Sequence, residues 1–274
     1  MKTFIGRLKN IDKNDITIKR IVKAIFRRFA NIPHYIAWKL PWGFAKVNRK
    51  RFIKFKDIHK GKRCFIIANG PSLKKIDFEL LKNEITIGMN RIYLMKDING
   101  FKPTYLACID KKSQLLQFTE DFNNQEGICF YEWNLRSLFD KKENFIFIKG
   151  KFSSKFSTNL EIEPLGNGLT VTYSCLQLAY YMGFSEIYLI GKDHSYNTNQ
   201  KSGVGIVSKG NEENHFIKGY YKKGQNWDAP DYKTEEYAYS LARIAFEKNR
   251  IVIKDATEGG KLKVFEKIDF NSLF

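Results

Sequence analysis

The chain has 274 residues, 43% hydrophobic and 15% aromatic, which suits one large α/β core or two modest domains and excludes wholesale disorder. Its net charge of +18 is uneven: residues 1–60 hold 17 Lys/Arg against three Asp/Glu (+14), and the remaining residues hold 30 against 26 (+4). No apolar run reaches the roughly 18–20 residues that span a bilayer, Lys2 to Lys19 lacks the apolar core of a signal peptide, and Cys64, Cys108, Cys129 and Cys175 form no Cys-x-x-Cys pair. A cytoplasmic chain with buried, reduced thiols and no structural zinc is expected.

From Ile16 to Phe29 the pattern is helical. At about 100° per residue, Ile18, Ile21, Val22, Ile25, Phe26 and Phe29 share one face, and Lys19, Arg20, Lys23 and Arg27 lie opposite. Pro33 is expected to end the helix. Tyr35, Trp38, Trp42 and Phe44 then alternate with Lys39, Lys46, Arg49, Lys50 and Arg51. Three readings compete for this arm: docking on its own domain, lying on an anionic membrane surface, and binding nucleic acid. The membrane reading of residues 16–51 is preferred, because a cationic face has no use in packing and aromatics beside basic residues suit a headgroup layer. No base-reading module accompanies the charge, so no nucleic-acid partner is expected.

The body, residues 61–274, reads as alternating strands and helices. Strands are expected at 64–68, 85–90, 104–110, 127–131, 145–148, 186–190 and 250–253. Helices are expected from Leu73 to Leu81, from Leu169 to Met182 with Gly183 closing it, and from Thr234 to Lys248 with a Thr cap and Glu235 and Glu236 in its first turn. This alternation predicts a doubly wound, mostly parallel Rossmann-like sheet. Residues 195–232, rich in Gly, Asn and Lys, read as a lid. The Asn69-Gly-Pro-Ser72 turn is expected to leave backbone N–H groups at a helix N-terminus facing an anion. Asn69, Asn90, Asp110, Asp193 and Thr257 all fall at strand C-terminal ends, where open α/β sheets bind ligands.

Asp-x-Asp, Gly-x-x-x-x-Gly-Lys-Ser/Thr, Gly-x-Gly-x-x-Gly and Gly-x-Ser-x-Gly are all absent. Of four histidines, His34 and His59 lie away from the strand ends, leaving His194 and His215. His215, within Glu213–Tyr221, is either an acid–base group brought in by the lid or a plain loop histidine. Tyr220 and Tyr221 are either phenolic donors to a departing phosphate or aromatic packing of the lid.

Ala68-Asn-Gly-Pro-Ser-Leu73, Gly88-Met-Asn-Arg-Ile-Tyr93, the Leu169–Asp193 segment and Asn214-His-Phe216 resemble, in order, the nucleotide loop, second nucleotide asparagine, central segment and base loop of bacterial sialyltransferases of glycosyltransferase family 42. The likeness spans residues 62–260. It implies a CMP-linked nonulosonic acid donor held by Asn69, Gly70, Pro71, Ser72, Asn90, Asp110 and Asp193, with Thr170 and Thr172 at the donor sugar. His215 would be the base, Tyr196 would serve the leaving group, the family's second leaving-group tyrosine has no clear match, and no metal is expected. Ala68 replaces a glycine, Asp110 an asparagine, and Val171 a serine of that pattern, and Tyr196 is displaced by one position. An equal likeness, closest at Asp255-Ala-Thr-Glu-Gly-Gly260, runs to motility accessory factor glycosyltransferases and 6-hydroxymethylpterin diphosphokinase-like proteins. Its kinase-like members imply ATP, with Asp110 and Asp193 binding magnesium. The resemblances imply a transferase of surface-polysaccharide or lipopolysaccharide assembly with a glycan or lipid-linked acceptor, peripheral on the inner face of a bacterial inner membrane. Self-association is left open.

Overall fold

The computed structural model describes residues 18–40, 42–197 and 204–274, and within 18–27 the side chains of Val22, Ile25 and Phe26 only. Ile16, the side chains of Ile18, Lys19, Arg20, Ile21, Lys23 and Arg27, and lid residues 198–203 thus lie outside the described residues. Two units are present, Met1–Lys46 and Val47–Phe274. In the first, helix α1 (Ile18–Lys39) continues through Pro33 instead of ending after it. Proline forfeits the hydrogen bond to the carbonyl four residues back, yet its fixed φ is helical, so the residues beyond it resume the helix. Near the helix end Lys39 Nζ lies 5.3 Å from the centre of the Trp38 ring, a cation–π contact. Helix α2 (Gly43–Ile53) follows.

The body begins at Val47, earlier than the expected residue 61. Residues 47–60 are basic but carry apolar anchors that the core absorbs. Phe52 stacks on Tyr181 with ring centres 4.6 Å apart. Asn48 exchanges two hydrogen bonds with the backbone of Phe147, at 2.7 and 2.8 Å. The N–H groups of Asp57 and His59 donate to the carbonyls of Tyr181 and Met182.

Eight parallel strands form the central sheet, and every strand expected from the sequence is present. These are β1 (Arg63–Ile67), β2 (Thr86–Met89), β3 (Tyr105–Cys108), β4 (Ile128–Glu132), β5 (Phe145–Ile148), β8 (Glu186–Ile190), β11 (Val252–Asp255) and β12 (Glu266–Lys267). The short pairs β6 (Gly150–Lys151) with β7 (Leu165–Gly166), and β9 (Gly205–Val207) with β10 (Asn226–Asp228), lie outside it. Apart from their first residues, β1 and β8 are buried along their whole length, as continuous apolar runs in a parallel sheet require. Helix α3 (Val171–Tyr181) packs on β1, β2 and β3, and α4 (Tyr232–Lys248) packs on α3 and β11. All four cysteines are buried and free.

The strand order is β12-β11-β8-β1-β2-β3-β4-β5. The chain winds outward from β1 to β5, returns through residues 149–170 and α3, and lays β8 on the other side of β1. The point where the order reverses, between the C-terminal ends of β1 and β8, is where such sheets open a crevice.

Two local expectations are corrected. No helix starts at Leu73: two short 3-10 turns, Pro71–Lys75 and Phe78–Leu81, replace it. Asp77 breaks the run by accepting from the Glu79 N–H at 2.9 Å and capping the second turn. Helix α4 is capped by Asp231, which accepts from both the N–H and the hydroxyl of Thr234, so Thr234 sits inside the helix.

Candidate active site

The loops after β1 and β8 are tied together across the crevice. Gly70 N–H donates to the Gly191 carbonyl at 2.8 Å. Asp193 accepts from Ser72 N–H at 3.1 Å and from Ser72 Oγ at 2.7 Å, and Leu73 N–H donates to the Gly70 carbonyl. The N–H groups expected to face an anion are therefore engaged within the protein, with Pro71 contributing none. A Cβ on Gly70 would lie 1.8 Å from Asp193 Oδ2, so glycine is required by the approach of that carboxylate. Asn69 Nδ2 donates to the Met89 carbonyl at 3.0 Å, while its buried Oδ1 has no partner.

Asn90 opens the loop after β2 with φ +52°, a left-handed conformation, and its Oδ1 lies 3.4 Å from Cys108 Sγ. Asp110, after β3, accepts from Ser113 N–H at 3.0 Å and caps the turn Lys111–Leu115. Burial raises its pKa, opposed by the Ser113 N–H and reinforced by Asp228. Thr170 Oγ1 lies 3.1 Å from Tyr239 Oη, and Thr172 is buried with its hydroxyl 3.5 Å from Met89 Sδ.

The lid lies on these strand ends. Phe216 N–H donates to the Asn69 carbonyl at 3.0 Å. His215 stacks on Tyr220 with ring centres 3.9 Å apart and planes 4° from parallel. Tyr196 and Tyr221 meet it edge-on, and Tyr196 Oη lies 3.4 Å from His215 Nε2. The four lid residues singled out from the sequence are thus brought into one cluster. Tyr220 Oη accepts from Arg91 N–H at 3.2 Å, and Tyr221 Oη accepts from Gln114 Nε2, so each phenol keeps its own proton to donate. Burial raises both phenols well above the usual range. Burial, helped by the Arg91 charge, lowers His215 to about 3, so its imidazole is neutral at physiological pH.

Arg91 and Lys192 were not singled out from the sequence, and His194 was retained as a candidate without a partner. Arg91 is buried, donates to the Tyr220 carbonyl, and lies 3.8 Å from the Phe118 ring centre. Lys192 binds Glu235 at 2.9 Å; burial pulls the ammonium pKa down, but Glu235 outweighs it and the net shift is upward. His194, also in a left-handed conformation (φ +53°), bonds Glu236 at 3.0 Å. Glu235 and Glu236 had been read only as complements to the helix dipole. Their spacing one turn inside α4 was the available signal, but their partners on the β8 loop are set by the fold.

A magnesium site on Asp110 and Asp193 fits this arrangement poorly. Both Asp193 oxygens accept from Ser72, one Asp110 oxygen caps a turn, and among the described residues no group of three or more His, Cys, Asp or Glu could hold a metal ion.

No curated protein matches the sequence. In structure the chain is similar to the MAf glycosyltransferase from Magnetospirillum magneticum AMB-1, with a TM-score of 0.51 and 18% identity. That match covers 83% of this chain but only 38% of the larger enzyme, and it shows a shared fold. Weaker likenesses run to a mammalian sialyltransferase in complex with Gal-beta-1-3GalNAc-ortho-nitrophenol (TM-score 0.35, 13% identity, 81% of this chain and 85% of that one) and to a second mammalian sialyltransferase structure (TM-score 0.31, 13% identity, 81% and 84%). The model of the 6-hydroxymethylpterin diphosphokinase MptE-like family matches residues 44–199, more than half of the chain and all of the body up to the start of the lid, and the protein belongs to that MptE-like family.

Proposed function

We propose that the protein is a metal-independent, inverting glycosyltransferase that moves a nonulosonic acid, such as a sialic acid, from CMP to a surface-glycan or lipid-linked acceptor. The observation that carries this reading is the Phe216–Asn69 hydrogen bond, which seats a neutral His215 and three tyrosines over the crevice between β1 and β8. Asn69, whose buried Oδ1 lacks a partner, and Asn90 would hold the nucleotide, with Gly70, Pro71 and Ser72 shaping the loop beside it through their tie to Gly191 and Asp193. The acceptor hydroxyl attacks the anomeric carbon, the bond to the CMP phosphate oxygen breaks, and the His215 imidazole takes the hydroxyl proton. That oxygen becomes strongly acidic only as the new bond forms, so a weakly basic imidazole suffices. CMP departs as a phosphate monoester, to which Tyr220 and Tyr221 would donate hydrogen bonds.

The family's name supports a second reading, ATP-dependent diphosphoryl transfer, which would need Asp193 released from Ser72 to bind magnesium. A thermal-shift comparison of CMP, CDP, UDP, GDP and ATP, with and without EDTA, separates the two. A melting-point rise with CMP that survives EDTA is expected; a rise with ATP alone, abolished by EDTA, would overturn the glycosyl-transfer reading.

We further propose that the basic arm holds the enzyme on the anionic inner face of the bacterial membrane, raising its effective concentration beside a lipid-linked acceptor. Among the described residues no helix is long and apolar enough to cross a bilayer, and α1 is amphipathic instead. Removing residues 1–46, which leaves the body's anchors in place, is expected to abolish co-sedimentation with phosphatidylglycerol liposomes. Undiminished binding would contradict the anchor.

A further inference from the structure

We infer that the lid is a hinged cover with fixed stems, and that Gln114 and Gln117, after β3, are the latch that releases it to admit a substrate to the crevice. The inference concerns access and holds for either reaction considered above. The His215 cluster is sealed: His215 is 6% exposed, Tyr220 2% and Tyr221 8%. No substrate hydroxyl reaches an imidazole buried to that extent, so the cover opens in each catalytic cycle.

The stems are held by charge. Lys192 and His194 precede the lid, and Glu235 and Glu236 follow it. Lys192 Nζ donates to Glu235 Oε2 at 2.9 Å and His194 Nε2 lies 3.0 Å from Glu236 Oε1, so two side-chain pairs clasp one stem to the other. The body holds the first stem as well. Lys192 N–H donates to Thr257 Oγ1 at 3.1 Å, and the Asp193 carbonyl accepts from Lys261 N–H at 2.9 Å. Breaking the buried Lys192–Glu235 pair would leave a charge uncompensated, so the stems outlast contacts between neutral groups.

The far end of the cover is held by such neutral groups. Strand β10 packs on the turn Lys111–Leu115. Just beyond that turn, half-buried Gln117 exchanges two hydrogen bonds with the backbone of Asn226: Nε2 donates to the carbonyl at 2.7 Å, and Oε1 accepts from the N–H at 2.9 Å. Gln114, three residues earlier, donates through Nε2 to Tyr221 Oη. The bonds to Asn226 lie at the solvent edge, where water replaces them at little cost. The turn that carries both glutamines is a wide one. Leu115 N–H donates to the Asp110 carbonyl and Leu116 N–H to the Lys111 carbonyl, each five residues back, at 3.0 and 2.9 Å. Such turns are rare and recur at functional sites. Tightening it to α-helical spacing would rotate the residues beyond it by about 100° and carry Gln117 off Asn226. Between latch and stems, the Phe216 bond to the Asn69 carbonyl and the Arg91 bond to the Tyr220 carbonyl hold the underside. Opening takes the least costly route, so it starts at β10, passes through Phe216 and stops at the stems.

The test is amide hydrogen exchange by NMR on the full chain, comparing the wild type with Gln117→Ala, which removes both bonds to Asn226. The Phe216 amide bonds Asn69 rather than either glutamine, so it reports release of the cover and not the local loss. It is expected to exchange about 5- to 30-fold faster in Gln117→Ala. Lys261, whose amide bonds the stem at Asp193, and Ile66 in β1 should keep wild-type rates. Gln117→Glu retains the acceptor for the Asn226 N–H but not the donor to its carbonyl, and should fall between the wild type and Gln117→Ala. Phe216 exchanging at the wild-type rate in Gln117→Ala, or Lys261 and Ile66 accelerated as much as Phe216, would overturn the latch.

Discussion

Arg91→Met keeps an unbranched stem and removes the guanidinium that holds the lid. That group is buried, donates to the Tyr220 carbonyl and lies 5.3 Å from the centre of the Tyr220 ring. Losing a charged donor to a buried carbonyl costs about 1.5–3 kcal/mol, and losing a desolvated cation–π contact about 1–2 kcal/mol. Relief from burying the charge returns part of this, leaving a net cost of about 2–4 kcal/mol to the docked lid. At about 1.4 kcal/mol per decade, the lid-opening constant rises roughly 30- to 1,000-fold. The Phe216 amide, bonded to the Asn69 carbonyl, reports that opening through hydrogen exchange. Phe216 is expected to exchange faster by that factor while the amides of Ile66 and Leu189 change little. Unchanged exchange at Phe216, or equal acceleration through β1 and β8, would refute the reasoning.

His215→Ala should lower turnover by about 10²- to 10⁴-fold while leaving the CMP-dependent melting shift in place; steady-state kinetics with normal turnover would remove the base assignment. Gly70→Ala drives a methyl group into Asp193 Oδ2, so a drop in melting temperature corresponding to about 2–4 kcal/mol is expected by calorimetry, and wild-type stability would deny the tie between the two loops. The pKa of His215 lies near 3 in the folded chain and near 6.5 when exposed, so the unfolded state binds the proton more readily. Its contribution to stability is complete above about pH 6.5 and is lost, at up to about 1.4 kcal/mol per unit, as pH falls toward the folded value. Denaturant melts at several pH values between about 7.5 and 5 should therefore show a shallower loss for His215→Asn than for the wild type; parallel curves would mean that the ring is not buried in its neutral form.

The sheet was legible because continuous apolar runs such as Cys64–Ala68 and Ile187–Ile190 admit few alternatives when each is bounded by a Gly-containing turn. Basic composition hid the true start of the body: Arg49 to Lys56 looks like the arm, yet Phe52 and Phe55 are core residues. The Asn69–Leu73 turn was recognised, but the state of its N–H groups was not, because Asp193 is 121 residues away in the chain. His215, Tyr196, Tyr220 and Tyr221 meet in one cluster because they share one loop. Arg91 and Lys192 escaped notice, and His194 was noticed without its partner, because each acquires its contacts from another element and no spacing pattern records such pairings.

Amide chemical shifts recorded during titration with CMP address the nucleotide crevice most directly. Progressive shifts at Gly70, Ser72, Asn90 and Phe216, with β4 and β5 undisturbed, are predicted. Shifts absent from these residues, or confined to the outer strands, would contradict a nucleotide site between β1 and β8.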